Sequence, residues 1–214
     1  MRTSDKGIIA LIGHEGIVPG PYKDSVGVVT YGVGHTAAAG HPDPRLMPKG
    51  MPIDLDAELV RVFRTFRKDL EKYEAEVDAA IHVPISQSKF DAAVSFHFNT
   101  GAIARASWVR KLNAGDVSGA AKGIMDWRKP PEIISRRKAE QTLFRNGAYH
   151  NGPITVWGVT PSLKVIWEPQ RVLTPSEALG LLRGPVIPDA AQEPPAATSG
   201  GLMAILKAIF GGRK

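Results

Sequence analysis

Apolar positions recur at helical spacing from the start of the chain: Ile8, Leu11 and Ile12 follow Ser4, which suits an N-cap, and Glu15 completes the same stripe just before Gly16, a natural helix stop. This predicts a short first helix whose last residue turns a carboxyl toward the core side, where partial burial favours the protonated form that an acid catalyst must supply. After Pro19-Gly20-Pro21 the pattern becomes alternating. Val26, Val28 and Thr30 share one face and Val29, Tyr31 and Val33 the other, in a segment from Tyr22 to Gly34 rich in Val, Thr, Tyr and Gly. A twisted hairpin or small sheet is expected there. Its glycines, Gly27, Gly32 and Gly34, allow tight turns and close approach of a ligand to backbone.

Residues 37 to 53 read as an Ala-Gly-Pro-rich loop, and Leu55, Leu59, Val62, Phe66, Leu70, Tyr73, Val77 and Ile81 then mark one face of a helix of about 28 residues, long enough to bridge two lobes. The charges along it, Arg61, Arg64, Arg67, Lys68, Glu71, Lys72, Glu74 and Glu76 among them, are read as a solvated face. Shorter helices are expected from Ser86 or Ser88 to Phe98, over 105 to 113, 117 to 126 and 135 to 145, the last closed by Asn146-Gly147. Residues 148 to 184 suggest an irregular or strand-like piece and then one short capped helix. The run 185 to 201 is linker by composition. It sets off a tail, GLMAILKAIFGGRK, in which Leu202, Ile205, Leu206 and Ile209 form a stripe flanked by Lys207 and Phe210, the pattern of a short amphipathic helix that lies on a membrane surface, packs back on its own domain or docks on a partner.

A chain of 214 residues with 43% hydrophobic content is long enough for one sizeable core, taken here to be a domain over 1 to 184. It contains no cysteine, so neither disulfides nor thiolate metal sites hold the fold. The apolar run near the N-terminus is short and lacks a small-residue cleavage site, so no signal peptide is read, and no stretch is long and apolar enough to span a bilayer. The net charge of +6 favours polyanionic partners, and its excess is regional: residues 101 to 150 carry ten Lys/Arg against four Asp/Glu. No reader motif or aromatic-laced basic stripe accompanies the charge, which argues against nucleic acid.

The chemistry is concentrated in EGIVPGPYKDSVGVVTYGVGH, where Glu15, Asp24 and Thr30 lie across a helix end, a loop and a hairpin. Two carboxyls converging on one cleft are the machinery of glycoside hydrolysis, one protonating the leaving oxygen and the other handling water or the sugar cation. The spacing is Glu, eight residues, Asp, five residues, Thr, followed by TYGVGHT at 30 to 36, FDAAVSFHFNTGAI at 90 to 103, KLNAGD at 111 to 116 and SRRKAEQTLFRNG at 135 to 147. In order and spacing these segments resemble the phage-type lysozymes of glycoside hydrolase family 24, over residues 4 to 147.

That resemblance implies an α+β, mainly helical fold of two lobes, a small β-hairpin lobe and a helical lobe joined by a long helix. It implies a muramidase acting on bacterial peptidoglycan, with Glu15 as general acid, Asp24 ionised and Thr30 holding water. Direct attack by water inverts the anomeric centre and calls for carboxyls roughly 6.5 to 9.5 Å apart. Tyr22, Gly34, His35, Phe98 and Asn99 are candidate substrate contacts, although the resemblance also gives His35 a structural bond to an acidic group. A lytic transglycosylase needs no water-positioning Asp and Thr, and a non-catalytic wall-binding component would have lost one of the three. No metal or cofactor is expected: His14, His82, His97 and His150 lack ligand spacing. The chain is expected to act as a monomer, from a host cytoplasm to the periplasm and cell wall, with its tail reaching anionic membrane or outer-membrane lipid. The proline-rich 37 to 53 loop and the PPEIISRR segment depart from the family's pattern, and nothing after about residue 150 is covered by it.

Overall fold

Ser4 takes the N–H of Gly7 at 3.0 Å and opens helix α1, Asp5–Glu15, in a computed structural model that describes residues 1 to 184. Gly16, at φ +75°, ends it, and Ile8, Leu11 and Ile12 are buried. The expected linker and tail, 185 to 214, including Leu202, Ile205, Leu206, Lys207, Ile209 and Phe210, lie outside the described residues.

A three-stranded antiparallel sheet follows: β1 (Val18–Lys23), β2 (Val29–Gly32) and β3 (His35–Thr36), with Tyr22 opposite Thr30 and a bulge toward Val18. The expected alternation through Val26 and Val28 does not hold. Both are exposed, because residues between β1 and β2 form a turn in which Gly27 has φ +85° and the Asp24 side chain holds the backbone. Residues 37 to 53 contain two single turns of 3-10 helix, Ala37–Ala39 and Pro44–Leu46.

Helix α2, Leu55–Ala80, starts on an Asp54 cap and buries Leu59, Val62, Phe63, Phe66, Leu70 and Val77. Its charges are not all a solvated face. Glu74 is buried and accepts the Thr3 N–H at 2.7 Å, Arg67 donates to the Thr3 carbonyl and to Asp5, and Glu76 meets His97. Glu58, on the same helix, accepts the buried Tyr31 hydroxyl at 2.5 Å. Helices α3 (Gln87–Thr100), α4 (Ser107–Asn113), α5 (Val117–Gly123) and α6 (Ile134–Asn146) complete the helical part; Gly101 and Gly147 close α3 and α6 in the left-handed conformation. Trp108 is fully buried against Phe96 and Phe144, while Trp127 is partly buried.

The segment expected to be irregular or strand-like is a β-hairpin, β4 (Ile154–Val159) with β5 (Val165–Leu173), followed by helix α7 (Pro175–Leu182) on a Thr174/Glu177 capping box. Strand β4 runs beside the start of β1: Ile17 donates to the Thr155 carbonyl at 2.9 Å and accepts from the Trp157 N–H at 2.8 Å. Ile154, Val156, Leu173 and Ala178 join Ile8, Ile12 and Ile17 in one core. No helix among the described residues is long and apolar enough to cross a membrane.

Candidate active site

Glu15 stands at the last residue of α1, where Gly16 swings the chain away. Its side chain is 30% exposed, and its inner side meets the guanidinium of Arg136 from α6. The sequence had suggested a carboxyl turned to an apolar interior; the structure gives it a cation instead. Arg136 is itself held by Glu140, whose Oε1 accepts from Nε at 3.0 Å and from the Ser95 hydroxyl at 2.8 Å, and it donates Nη2 to the Ser95 carbonyl at 3.1 Å.

Beneath this lies Arg137, fully buried, its guanidinium 5.0 Å from the Phe96 ring centre and its Nη2 donating to Asn99 Oδ1 at 2.7 Å. Its Nη1 lies 2.7 Å from Glu140 Oε2, a charge pair without hydrogen-bond alignment. Burial pushes the Glu140 carboxyl up, against the pull of Arg137, Arg136 and Ser95, and pushes Arg137 down. None of Arg136, Arg137, Glu140 and Ser95 was singled out from sequence. The signal was present in SRRKAE, where two arginines precede a glutamate by three and four positions and so share its helix face.

Asp24 ends β1 and caps its turn: Oδ1 accepts the Val26 N–H at 3.0 Å and the Val28 N–H at 2.8 Å, which leaves Oδ2 without a protein partner among the described residues. Thr30 is buried on β2, opposite Tyr22, with its hydroxyl donating to the Val28 carbonyl at 3.2 Å. That bond uses the hydroxyl proton and leaves the oxygen free to accept. Tyr22 reports how these groups converge. Its phenol is pushed up to about 12 by burial first, then by the charge of Asp24 and then that of Glu15, so both carboxylates act on one side chain.

Beside this cluster runs a cavity of about 420 Å³ lined by Val33, Gly34, Thr36, Lys68, Tyr73 and Phe98 among others. Gly34 has φ +78°, and a methyl group built on it would stand 3.8 Å from Phe98 Cζ, so the ring lies close to this stretch of backbone. Phe98 packs at 5.0 Å on Tyr73 and 5.5 Å on Phe66. The Tyr73 phenol is raised by burial, then by Asp69, Glu76 and Glu15. Asn99 is exposed at the end of α3 and fixed by Arg137.

Of the two roles suggested for His35, its contacts match the structural bond to an acidic group and not the substrate contact. The side chain is 2% exposed, with Nδ1 2.8 Å from Asp69 of α2 and Nε2 2.7 Å from the Pro42 carbonyl, so neither nitrogen is free. Burial alone would lower its pKa, but the Asp69 and Pro42 hydrogen bonds outweigh it and leave the value raised. Facing two acceptors, the ring satisfies both only when both nitrogens carry protons, and through them it ties the sheet to α2. His14, stacked on His150 with centroids 5.0 Å apart, is instead lowered to about 4, by burial first and then by Arg136, His150 and Arg137. It is a neutral packing group behind Glu15. Among the described residues no cluster of three or more His, Asp or Glu is arranged to hold a metal ion.

The Phage lysozyme family model matches residues 12–140, a span that holds Glu15, Asp24 and Thr30 and ends before the β4–β5 hairpin. The endolysin of Salmonella phage P22 is 33% identical over 150 residues, covering 67% of this chain and 98% of the relative. Among solved structures, the endolysin from Escherichia coli O157:H7 phage FAHEc1 superposes with a TM-score of 0.61 at 29% identity, over 70% of this chain and 97% of that one. The muramidase domain of SpmX from Asticaccaulis excentricus gives 0.54 at 26% identity, over 68% and 98%.

Proposed function

Because the chain belongs to the phage lysozyme family, we propose that it is an endolysin that hydrolyses the β-1,4 bond between N-acetylmuramic acid and N-acetylglucosamine in peptidoglycan, and so lyses bacterial cells. Glu15 donates its proton to the glycosidic oxygen. Asp24, through the oxygen its turn leaves free, and Thr30, through its unused lone pairs, orient the water that attacks the sugar cation, and Asp24 takes the proton that the water loses. The Arg136 guanidinium receives the negative charge that develops on Glu15 as the proton departs. Attack by that water gives inversion. The observation that carries the reading is the disposition of the three groups: Glu15 at the last residue of α1 paired with Arg136, Asp24 just past β1 with one carboxylate oxygen free of protein partners among the described residues, and Thr30 on the neighbouring strand β2.

Gly34, Phe98 and Asn99, with Tyr73, border the groove for the glycan strand, and the protein acts as a monomer without a cofactor. It reaches the wall after release from the producing cytoplasm. The cationic sequence GLMAILKAIFGGRK favours anionic envelope lipid, so removing 201 to 214 should reduce binding to anionic vesicles and killing of intact cells while digestion of purified wall is kept.

The test of the chemistry is mass spectrometry of fragments released from purified peptidoglycan by wild type, Glu15→Gln and Asp24→Asn. Reducing-end muropeptides from wild type, falling by roughly 10² or more in each variant, are expected. The asparagine keeps an acceptor for the Val26 and Val28 N–H groups, so its loss reads the missing charge rather than a broken turn. Anhydro-muropeptides would assign a transglycosylase instead, and undiminished digestion by Glu15→Gln would overturn the assignment of the acid.

A further inference from the structure

The β4–β5 hairpin lies beyond the matched residues, and it is fastened along β1 at both ends. At one end Ile17 exchanges backbone hydrogen bonds with Thr155 and Trp157. At the other the Lys23 N–H donates to the Leu163 carbonyl at 2.9 Å. These anchors neighbour Gly16 and Asp24, so the hairpin spans the stretch of chain that separates the two carboxylates. Pro161 packs on Gly50 and Val159 on Gly20, which fixes its turn against the sheet.

Two indoles sit on this hairpin. Trp157 lies against the residue that follows Glu15: a methyl group built on Gly16 would stand 2.8 Å from its Nε1. Trp167, across the hairpin, meets Trp157 edge to face with centroids 5.5 Å apart and is 75% exposed. The Trp157 indole N–H has no acceptor among the described residues, and Trp167 offers most of its ring to solvent. A Trp this exposed, supported by a second Trp, is a costly feature unless something covers it.

We propose that Trp157 and Trp167 form a sugar-stacking platform that extends the cleft by a subsite for a further N-acetylhexosamine of the β-1,4-linked glycan strand. The proposal rests on the peptidoglycan reading above. A pyranose presents one face of C–H groups, which suits a flat, exposed indole, and hydroxyl and acetamide oxygens at its rim, which suit an indole N–H in want of an acceptor. Exposed Lys23 and Lys164 at the hairpin's far end suit the carboxylates of the same polymer. Position favours this occupant: Trp157 packs on Gly16, the residue next to the proposed acid Glu15.

The test compares the full chain with Trp167→Ala and Trp167→Phe, reading indole emission on titration with the hexamer of β-1,4-linked N-acetylglucosamine, and kcat and KM on purified peptidoglycan. Saturable quenching in wild type is expected. Trp167→Ala should weaken hexamer binding and raise KM about fivefold with kcat nearly unchanged, and Trp167→Phe should recover most of both. Unchanged binding and KM in Trp167→Ala, with wild type digesting wall normally, would overturn the platform and leave the muramidase reading intact. Platform binding without wall cleavage by wild type would do the reverse. A concentration-dependent dimer that Trp167→Ala dissociates, or emission from Trp167 that shifts only on deletion of 185 to 214, would give the surface to a second copy or to the chain's own tail and overturn the proposal.

Discussion

Replacing Glu140 by leucine tests the electrostatics behind the proposed active site. Its carboxyl is the shared counter-charge of Arg136 and Arg137; the exposures of the three side chains are 1%, 7% and 0%. Without it, Arg137 retains only the Asn99 oxygen and the Phe96 ring, and Arg136 only Glu15 and a carbonyl. Breaking a buried ion pair from one side costs about 3–5 kcal/mol, because a charge stays buried without its partner. For a domain of this size that is a fall in Tm of about 6–20 °C. Urea unfolding followed by circular dichroism measures it. The same reasoning makes a second claim: burial drives Glu140 up and Arg137 down, and their closest contact lacks hydrogen-bond alignment, so the pair itself contributes little. Arg137→Met added to Glu140→Leu should therefore recover much of the loss. A single variant that loses less than about 1 kcal/mol, or a double variant no more stable than the single, would refute the reasoning.

Two further outcomes are expected. The His35 pKa is raised in the folded protein above 6.5, so its stabilisation is complete below 6.5 and is lost as pH rises through the folded value; Tm from about pH 5 to pH 9 should fall more steeply in wild type than in Asp69→Asn, and parallel curves would refute the tie. Gly20→Ala drives a methyl group into the Gly50 carbonyl oxygen and to 2.9 Å from Val159, forcing sheet and loop apart at a cost of about 1–3 kcal/mol, read as a lower urea midpoint; an unchanged midpoint would show that the loop yields freely.

The spacing of Glu15, Asp24 and Thr30 was legible because it is local. The helix stop after Glu15 and the strand carrying Thr30 are found where short-range patterns place them, whereas the turn that Asp24 caps was read as part of the alternating segment. What gives Glu15 its setting is not local, since Arg136 arrives from a helix far along the chain. The same limit explains the misread charges of α2. Helical period identifies a stripe but not the partner a charge will meet, and Glu74, between Leu70 and Val77 on the buried stripe, is satisfied by an N–H from the chain's third residue.

The C-terminal hairpin carries this argument furthest. Its sequence reads only as irregular or strand-like, and nothing in residues 148 to 184 names Ile17 as the backbone they pair with. Yet Ile154, Val156 and Leu173 are fully buried in the same core as Ile8 and Ile12, and burial of each such side chain is worth about 1.5–3 kcal/mol. Helix α7 packs in turn on α1 and α2. A segment that contributes on that scale to a domain stable by only about 5–15 kcal/mol is not an appendage to a finished lysozyme fold. It is part of the structure that holds the end of α1, and with it Glu15, in place, so the folding unit of this chain runs past the end of the family match.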